Sequence, residues 1–282
     1  MIQFDHIAIA ARRIADAPPY LMGVLGGVPF FGMSSDVFRF GQWEFAGGGR
    51  IEVLEPRGDD GFLHRFLAAR GPGVHHVTFK VPSLAEACER ATALGYTVVG
   101  YAAKERRWKE AFLHPKEALG IVVQIVESPD EPPRGHWRKP PLMPPDPPPA
   151  VRLLGLRLRA HSAERARRQW RTLLGGDASV DGDRHVFRWD GSPLRIAVEV
   201  AATGEEGPTA IEIASPTRAV SGLGAPAPDL GVVFAEAERR HDAPGAGHPR
   251  NEPGARYPLQ RSHDAPGAGR PRNEPGARYP LQ

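Results

Sequence analysis

The chain has 282 residues, of which 41% are hydrophobic and 24% are charged, with a formal net charge of +3. This composition is typical of an ordinary soluble protein with room for two domains. The absence of any run of about 18 apolar residues excludes a membrane-spanning helix. A single cysteine, Cys88, excludes an internal disulfide and a multi-cysteine metal site. Because the start of the sequence has no basic and apolar leader, we expect a cytoplasmic protein.

The first half of the chain repeats one pattern twice. A strand over residues 4–10 precedes a helix over 20–25 and three strands over 27–31, 37–46 and 50–55. A strand over 74–81 then precedes a helix over 84–94 and three strands over 96–101, 110–113 and 121–127. Alternation of apolar and polar residues predicts the strands, and the second helix has a capping box that begins at Ser83. The predicted order is therefore βαβββ, twice.

A proline-rich stretch over 129–150 reads as an extended linker, and the pattern begins again after it. Residues 155–160, 185–189, 194–200 and 209–213 alternate like strands, and 162–174 form a helical stretch. Gly155 stands where the first copy has His6, and Ala210 where the second has His76. We predict a degenerate, incomplete module pair over 151–235 that binds no metal in the manner of the first pair.

The end of the chain carries the positive charge. Residues 239–282 are a tandem repeat of a 22-residue unit rich in proline and glycine, with eight arginines and four acidic residues. The high pI therefore describes this tail, and it gives little support to a nucleic-acid surface on the folded part. Because the repeat lacks the apolar residues of a core, we predict that 239–282 is disordered.

Strand parity places four polar side chains on one face of the first predicted sheet. Successive side chains of a strand point to opposite faces, so His6 and His76 lie opposite the bulky apolar residues that should cover the helices. The closing strands put Glu52 and Gln124 on the same side. Two imidazoles and a carboxylate are a recognised ligand set for divalent ions. We predict that His75, the neighbour of His76, lies on the opposite face in a structural role.

Residues 2–128 resemble the vicinal oxygen chelate superfamily, and within it the methylmalonyl-CoA epimerases and glyoxalase I. The motifs are His6-Ile-Ala-Ile-Ala, Ile51-Glu-Val-Leu-Glu-Pro and Gly73-Val-His-His-Val. The resemblance implies an α+β fold in which paired βαβββ modules form a curved mixed sheet with a central cavity. It also implies a divalent metal ion, with Mg, Mn, Co, Ni, Zn and Fe all open, whose ligands would be His6, Glu52, His76 and Gln124.

The same resemblance implies a metal-dependent isomerase or lyase that stabilises the enediolate of a small carbonyl or thioester substrate. The families usually have a glutamate where this chain has Gln124, and an amide cannot accept a proton at neutral pH. The base must then be another carboxylate, and Glu44 and Asp36 are the candidates. Two alternatives stay open. One is an Fe(II) extradiol-type dioxygenase, and the other is a non-catalytic protein that binds a small molecule in the same cavity.

Three more side chains are candidates for substrate contacts. Lys80 shares the face of His76 and could meet a carboxylate, while Trp108 and Lys109 could hold an anionic or acyl group at the cavity mouth. We expect a small-molecule substrate and no nucleic-acid or membrane partner, with a homodimer left open.

Overall fold

The computed structural model describes residues 1–129, 137 and 139–237. The predicted tail over 239–282 and residues 130–136 and 138 of the predicted linker lie outside this range. None of the helices within it is long and apolar enough to cross a membrane.

Two modules share the first sheet. Its eight strands are β1 Gln3–Ala10, β2 Val28–Ser34, β3 Phe38–Glu44, β4 Arg50–Pro56, β5 Gly73–Lys80, β6 Val98–Ala102, β7 Lys109–Leu113 and β8 Val122–Glu127. They lie in the order β2-β3-β4-β1-β5-β8-β7-β6. The central strands β1 and β5 are antiparallel, and each is flanked by the last strand of its own module, which runs parallel to it. The predicted α+β fold of paired βαβββ modules is confirmed.

The second sheet follows the same plan with fewer strands. Its strands are β9 Arg152–Ala160, β10 Asp177–Asp181, β11 Arg184–Arg188, β12 Arg195–Val200, β13 Gly207–Ala214 and β14 Phe234–Glu236. Their order is β10-β11-β12-β9-β13-β14, so the strands that would correspond to β7 and β6 have no counterpart among the described residues. This sheet is the predicted degenerate, incomplete copy.

The α-helices of the described residues are short. They are α1 Pro18–Leu21, α2 Phe62–Arg70, α3 Leu84–Ala93 and α4 Ala163–Arg167, and α4 runs directly into a π-helical segment, Arg168–Leu173. α3 begins as its capping pattern predicts, because the Ser83 side chain accepts a hydrogen bond from the backbone N–H of Glu86. α1 is a single turn that starts with two prolines, which are tolerated only in the first turn of a helix.

Both sheets contribute to one hydrophobic core. Val77 and Phe79 of β5 belong to the same buried cluster as Ile196 of β12. The ring of Phe79 lies 5.9 Å from that of Trp170 and 4.7 Å from that of Trp189, measured between centroids. The apolar face of the first sheet is therefore covered partly by the second half of the chain, and its polar face points the other way.

The helix α2 was not predicted, and it lies on that polar face. Phe62, Leu63 and Leu67 pack there in a second buried cluster against residues of β1 and β4, namely Ala8, Ala10 and Leu54. The helix has only nine residues and lies between glycines, so the sequence pattern shows it weakly. It covers the ends of β1 and β4 beside the predicted ligands.

Candidate metal centre

Three of the predicted ligands come together on adjacent strands. His6, Glu52 and His76 offer ligand atoms that all lie within 4.8 Å of one another. The Nε2 atom of His6 is 3.7 Å from the Glu52 carboxylate, and that of His76 is 4.0 Å from it. The register explains the meeting, because Ala8 of β1 pairs with Glu52 on one side and with His76 on the other. All three residues are buried, with 2%, 7% and 6% of their surfaces exposed.

The residue before His6 orients its ring. The register between β1 and β5 shifts at Asp5, which is an extra, bulged residue in β1. The Asp5 carboxylate lies 2.7 Å from Nδ1 of His6. Because a carboxylate only accepts, Nδ1 of His6 carries the proton of this hydrogen bond, and Nε2 is the ring atom that lies toward Glu52 and the Thr78 hydroxyl. Metal-binding histidines are commonly held in this way.

His75, the residue before His76, is bulged in β5 as Asp5 is in β1. A second register shift makes His75 an extra residue in β5. The prediction that His75 lies on the opposite face is wrong, because the bulge interrupts the strict alternation of side chains. Its Nδ1 lies 2.9 Å from Nδ1 of His76, and its ring packs against Phe62 and Phe66 of α2. The Nε2 atom of His76 is buried and has no hydrogen-bond partner in the described structure.

Burial dominates the electrostatics of the triad. It raises the pKa of Glu52, against the lowering influence of His6 and Gln42. Burial, together with the nearby charges of His75 and His6, lowers the pKa of His76 well below its usual value. Burial alone also lowers the pKa of His75 to about 4. Burial therefore favours the neutral form of His76, and a neutral imidazole is the form that binds a metal ion.

Asp5 stays ionised in this buried environment. Burial by itself would raise its pKa, but the hydrogen bond and charge of His6, with Arg50 and Lys80, lower it below the usual range. Lys80 Nζ lies 3.4 Å from Asp5, and an Arg50 nitrogen lies 3.8 Å from it. The predicted substrate residue Lys80 thus has an ion-pair partner next to His6.

Gln124 lies beside the triad on β8. Its Oε1 accepts a hydrogen bond of 2.6 Å from the Thr78 hydroxyl, which itself lies 3.0 Å from Nε2 of His6. Its Nε2 donates to Glu110 over 2.8 Å. Thr78 and Glu110 are buried polar residues that the sequence reasoning missed. Strand parity could have found Glu110. This residue lies on the same face of β7 as Phe112, and Phe112 is directly opposite Gln124 in β8, so Glu110 and Gln124 share a face.

The two predicted bases lie apart from the triad. Asp36 is exposed in the turn between β2 and β3. Glu44 is opposite Arg50 in the register of β3 and β4, lies 3.8 Å from that side chain, and is 40% exposed. Gln42, which the sequence reasoning did not single out, is the β3 residue directly opposite Glu52. The roles of Asp36 and Glu44 stay predictions.

The other predicted substrate residues also have partners. Trp108 is 41% exposed, and its indole Nε1 donates to Glu110 over 2.9 Å. Lys109 forms an ion pair with Glu127. Trp108 is therefore linked to the metal-site network through Glu110, whereas Lys109 and Glu127 pair at the edge of β7 and β8.

The residues present fit a divalent metal ion. The buried Nε2 of His76 has no hydrogen-bond partner in the described structure, and the Nε2 of His6 and the Glu52 carboxylate lie close to it. Two neutral imidazoles and one carboxylate suit Zn, Ni, Co or Fe, and they leave other coordination positions open. Gln124 could add a fourth oxygen.

Comparisons with known proteins concern mainly the first sheet. Residues 5–112 match the family model of the Glyoxalase/Bleomycin resistance protein/Dioxygenase superfamily, which confirms the resemblance inferred from the sequence. The uncharacterized protein YqjC of Bacillus subtilis (strain 168) is 28% identical over 130 residues, which are 45% of this chain and 93% of that protein.

Two solved structures extend the comparison. Methylmalonyl-CoA epimerase from Mycobacterium tuberculosis is 24% identical, with a TM-score of 0.40, and the match covers 45% of this chain and 87% of that one. A mutant of 4-hydroxymandelate synthase from Streptomyces coelicolor is 12% identical, with a TM-score of 0.52 over 76% of this chain and 71% of that one. Both likenesses are below 25% identity and concern the fold alone, and the second extends beyond the first sheet.

Proposed function

We propose that this protein, whose residues 5–112 match the model of the Glyoxalase/Bleomycin resistance protein/Dioxygenase superfamily, is a metal-dependent enzyme of the isomerase or lyase type. Its substrate would be a small carbonyl or thioester compound. The observation that supports this most is the convergence of His6, Glu52 and His76, with ligand atoms within 4.8 Å of one another. A divalent ion at this point would polarise the substrate oxygens and stabilise the enediolate left by removal of a neighbouring proton.

The chain's own residues prepare the site for this task. Asp5 and His75 each hold the Nδ1 atom of the following histidine, so both rings are fixed before any ligand arrives. Burial of the triad excludes water, and charge interactions are stronger there than in solvent. The site is therefore preorganised, which is the main source of electrostatic stabilisation in enzymes.

The metal requirement is tested first, with His6→Ala, His76→Ala and the control His161→Ala. His161 is 44% exposed in the second half of the chain. We expect calorimetric titration with Zn²⁺, Co²⁺, Ni²⁺ or Mn²⁺ to show one site in the wild type and in the control. Neither triad variant should retain it, while circular dichroism should show that both remain folded. A wild-type protein that takes up no divalent ion would favour the non-catalytic binding protein.

The reaction class is tested without knowing the substrate. Proton removal next to a carbonyl exchanges that hydrogen with solvent, so the metal-loaded protein should catalyse deuterium exchange in one member of a panel of acyl-CoA thioesters and glutathione hemithioacetals. The His76→Ala variant should show none. If no panel member exchanges above the rate of this variant, the isomerase assignment is contradicted for these substrate classes.

A second candidate function rests on the donor set. Two histidines and one carboxylate with open positions are also the ligands of non-haem Fe(II) oxygenases. Oxygen uptake by the Fe(II)-loaded protein with catechols or 2-oxo acids, and none with Zn²⁺, would favour this candidate over the isomerase.

A further inference from the structure

Each module of the first sheet holds a hydrogen-bonded amide–carboxylate pair, although Gln42 lies directly opposite Glu52 and Glu110 lies diagonally from Gln124. In the first module Gln42 of β3 donates from Nε2 to Glu52 of β4 over 2.9 Å. In the second, Gln124 of β8 donates from Nε2 to Glu110 of β7 over 2.8 Å. In the first module the last strand, β4, therefore carries the carboxylate and its neighbour β3 carries the amide. In the second module the last strand, β8, carries the amide and its neighbour β7 carries the carboxylate.

Glu110 determines which end of the Gln124 amide faces the triad. It is only 8% exposed, and its Oε2 accepts from both Gln124 and the indole of Trp108. A carboxylate has no proton to donate, so only the Nε2 end of Gln124 can face it. The Oε1 end must then lie on the other side, where Thr78 donates to it beside His6.

We propose that Glu110 is a positioning residue that makes Gln124 a metal ligand. By holding the amide nitrogen, it presents Oε1 to the ion, and an amide oxygen binds divalent cations whereas the NH₂ group does not. This inference rests on the proposed metal centre. The same contact predicts that Gln124→Glu alone destabilises the protein, because this substitution puts a second carboxylate at hydrogen-bonding distance from Glu110.

The test is a cycle of Glu110→Gln, Gln124→Glu and the double variant, with Glu205→Gln as the matched control. Glu205 is 76% exposed and pairs with Arg70 at the surface. The measurements are Co²⁺ affinity by calorimetry, the visible absorption spectrum of the Co²⁺ form, and the melting temperature of the metal-free protein. None of them depends on knowing the substrate.

Glu110→Gln should weaken Co²⁺ binding about 10–100-fold, the range typical of residues that orient metal ligands. It should also alter the cobalt spectrum, because an amide at position 110 can satisfy Gln124 in either orientation. Gln124→Glu should lower the melting temperature of the metal-free protein. The double variant restores a carboxylate–amide pair, and it should recover that melting temperature and bind Co²⁺ at least as tightly as the wild type. Glu205→Gln should change none of these quantities.

Failure of this inference and failure of the proposed function give different results. If the wild type binds no ion, the metal centre itself is contradicted. If the wild type binds Co²⁺ and Glu110→Gln changes neither affinity nor spectrum, the metal centre stands and the role of Glu110 is overturned. If Glu110→Gln does not fold, the double variant decides, since a double variant no more stable than Gln124→Glu alone would show that the two positions are not coupled.

Discussion

The two sheets share a backbone plan and differ in the chemistry of one face. The bulges at Asp5 and His75 in the first sheet have counterparts at Leu154 and Thr209 in the second, where the register of β9 and β13 shifts in the same way. Strand pairing then identifies the second-sheet residues that correspond to the triad and Gln124. They are Gly155, Ala197, Ala210 and Ala235. Every predicted ligand is replaced by glycine or alanine.

A buried ion pair occupies this face instead. Glu212, which corresponds to Thr78, is 1% exposed. Its two oxygens each accept a hydrogen bond of 3.0 Å, one from Arg157 and the other from Arg195. The arginines satisfy the carboxylate fully, so the second sheet has an internal counter-charge where the first has free ligand atoms.

The comparison separates the scaffold from the site. Bulges persist where no ligand follows them, so they belong to the fold and do not depend on metal-binding side chains. The site arises only where the bulged residue carries an acceptor, as Asp5 does, and the next residue is a histidine. Chemistry on this fold therefore depends on a few side chains at fixed positions.

The largest expected effect comes from breaking the ion pair of the second sheet. Glu212→Gln leaves two guanidinium groups without a counter-charge. Removing one partner of a buried pair costs about 3–5 kcal/mol, and we expect the lower end, because both arginine side chains are 18% exposed. Urea denaturation measures the loss, with the exposed pair variant Glu205→Gln as control at about 0–1 kcal/mol. A loss no larger than the control would show that the pair is not structural.

The next effect tests why the second sheet cannot regain a histidine ligand. Gly155 has φ +143°, and a Cβ there would lie 1.9 Å from the backbone oxygen of Arg195. We expect Gly155→Ala to cost about 3 kcal/mol, the upper end for a strained backbone conformation. Gly48→Ala is the control, since Gly48 also has positive φ, +87°, but no atom within 4 Å of the added Cβ. Equal losses of unfolding free energy in both variants would show that the contact with Arg195 does not cause the destabilisation.

A smaller effect concerns the bulged residue of the first sheet. Asp5→Asn weakens the hold on Nδ1 of His6, and we expect metal affinity to fall about 10–100-fold. Leu154→Ala changes the corresponding bulge of the second sheet and should leave metal affinity unchanged. Calorimetric titration of both variants measures the difference. Unchanged affinity in Asp5→Asn would mean that the ring of His6 is oriented by its other contacts.

The smallest expected effect tests whether the side chain of a bulged residue stabilises the bulge. Thr209 donates from Oγ1 to the backbone oxygen of Arg157 over 3.3 Å. Thr209→Val removes this bond, and we expect a loss of about 0.5 kcal/mol, because the bond is long. Thermal unfolding measures it. A loss several times larger would indicate that the side chain holds the bulge in place.

Much of the candidate site could be predicted from the sequence. Alternation alone placed His6, Glu52, His76 and Gln124 on one face, since side-chain parity is a local property of a strand. The same rule failed for His75, because a bulge arises from the register between two strands 70 residues apart and leaves no local pattern. Parity also puts Glu110 on this face, but its role as the partner of Gln124 depends on a contact between β7 and β8.

The sequence by itself determined the module order, the apolar faces and two of the positions, Gly155 and Ala210, at which the second copy lacks a ligand. These features follow from hydrophobic periodicity, which is a local property of each segment. Only the tertiary structure decided that the bulged residues Asp5 and His75 contact the rings of His6 and His76. The same holds for the packing of α2 on the polar face and for the ion pairs of Glu212 with Arg157 and Arg195. Each of these depends on pairing between distant strands or on packing between elements, and no single segment encodes such contacts.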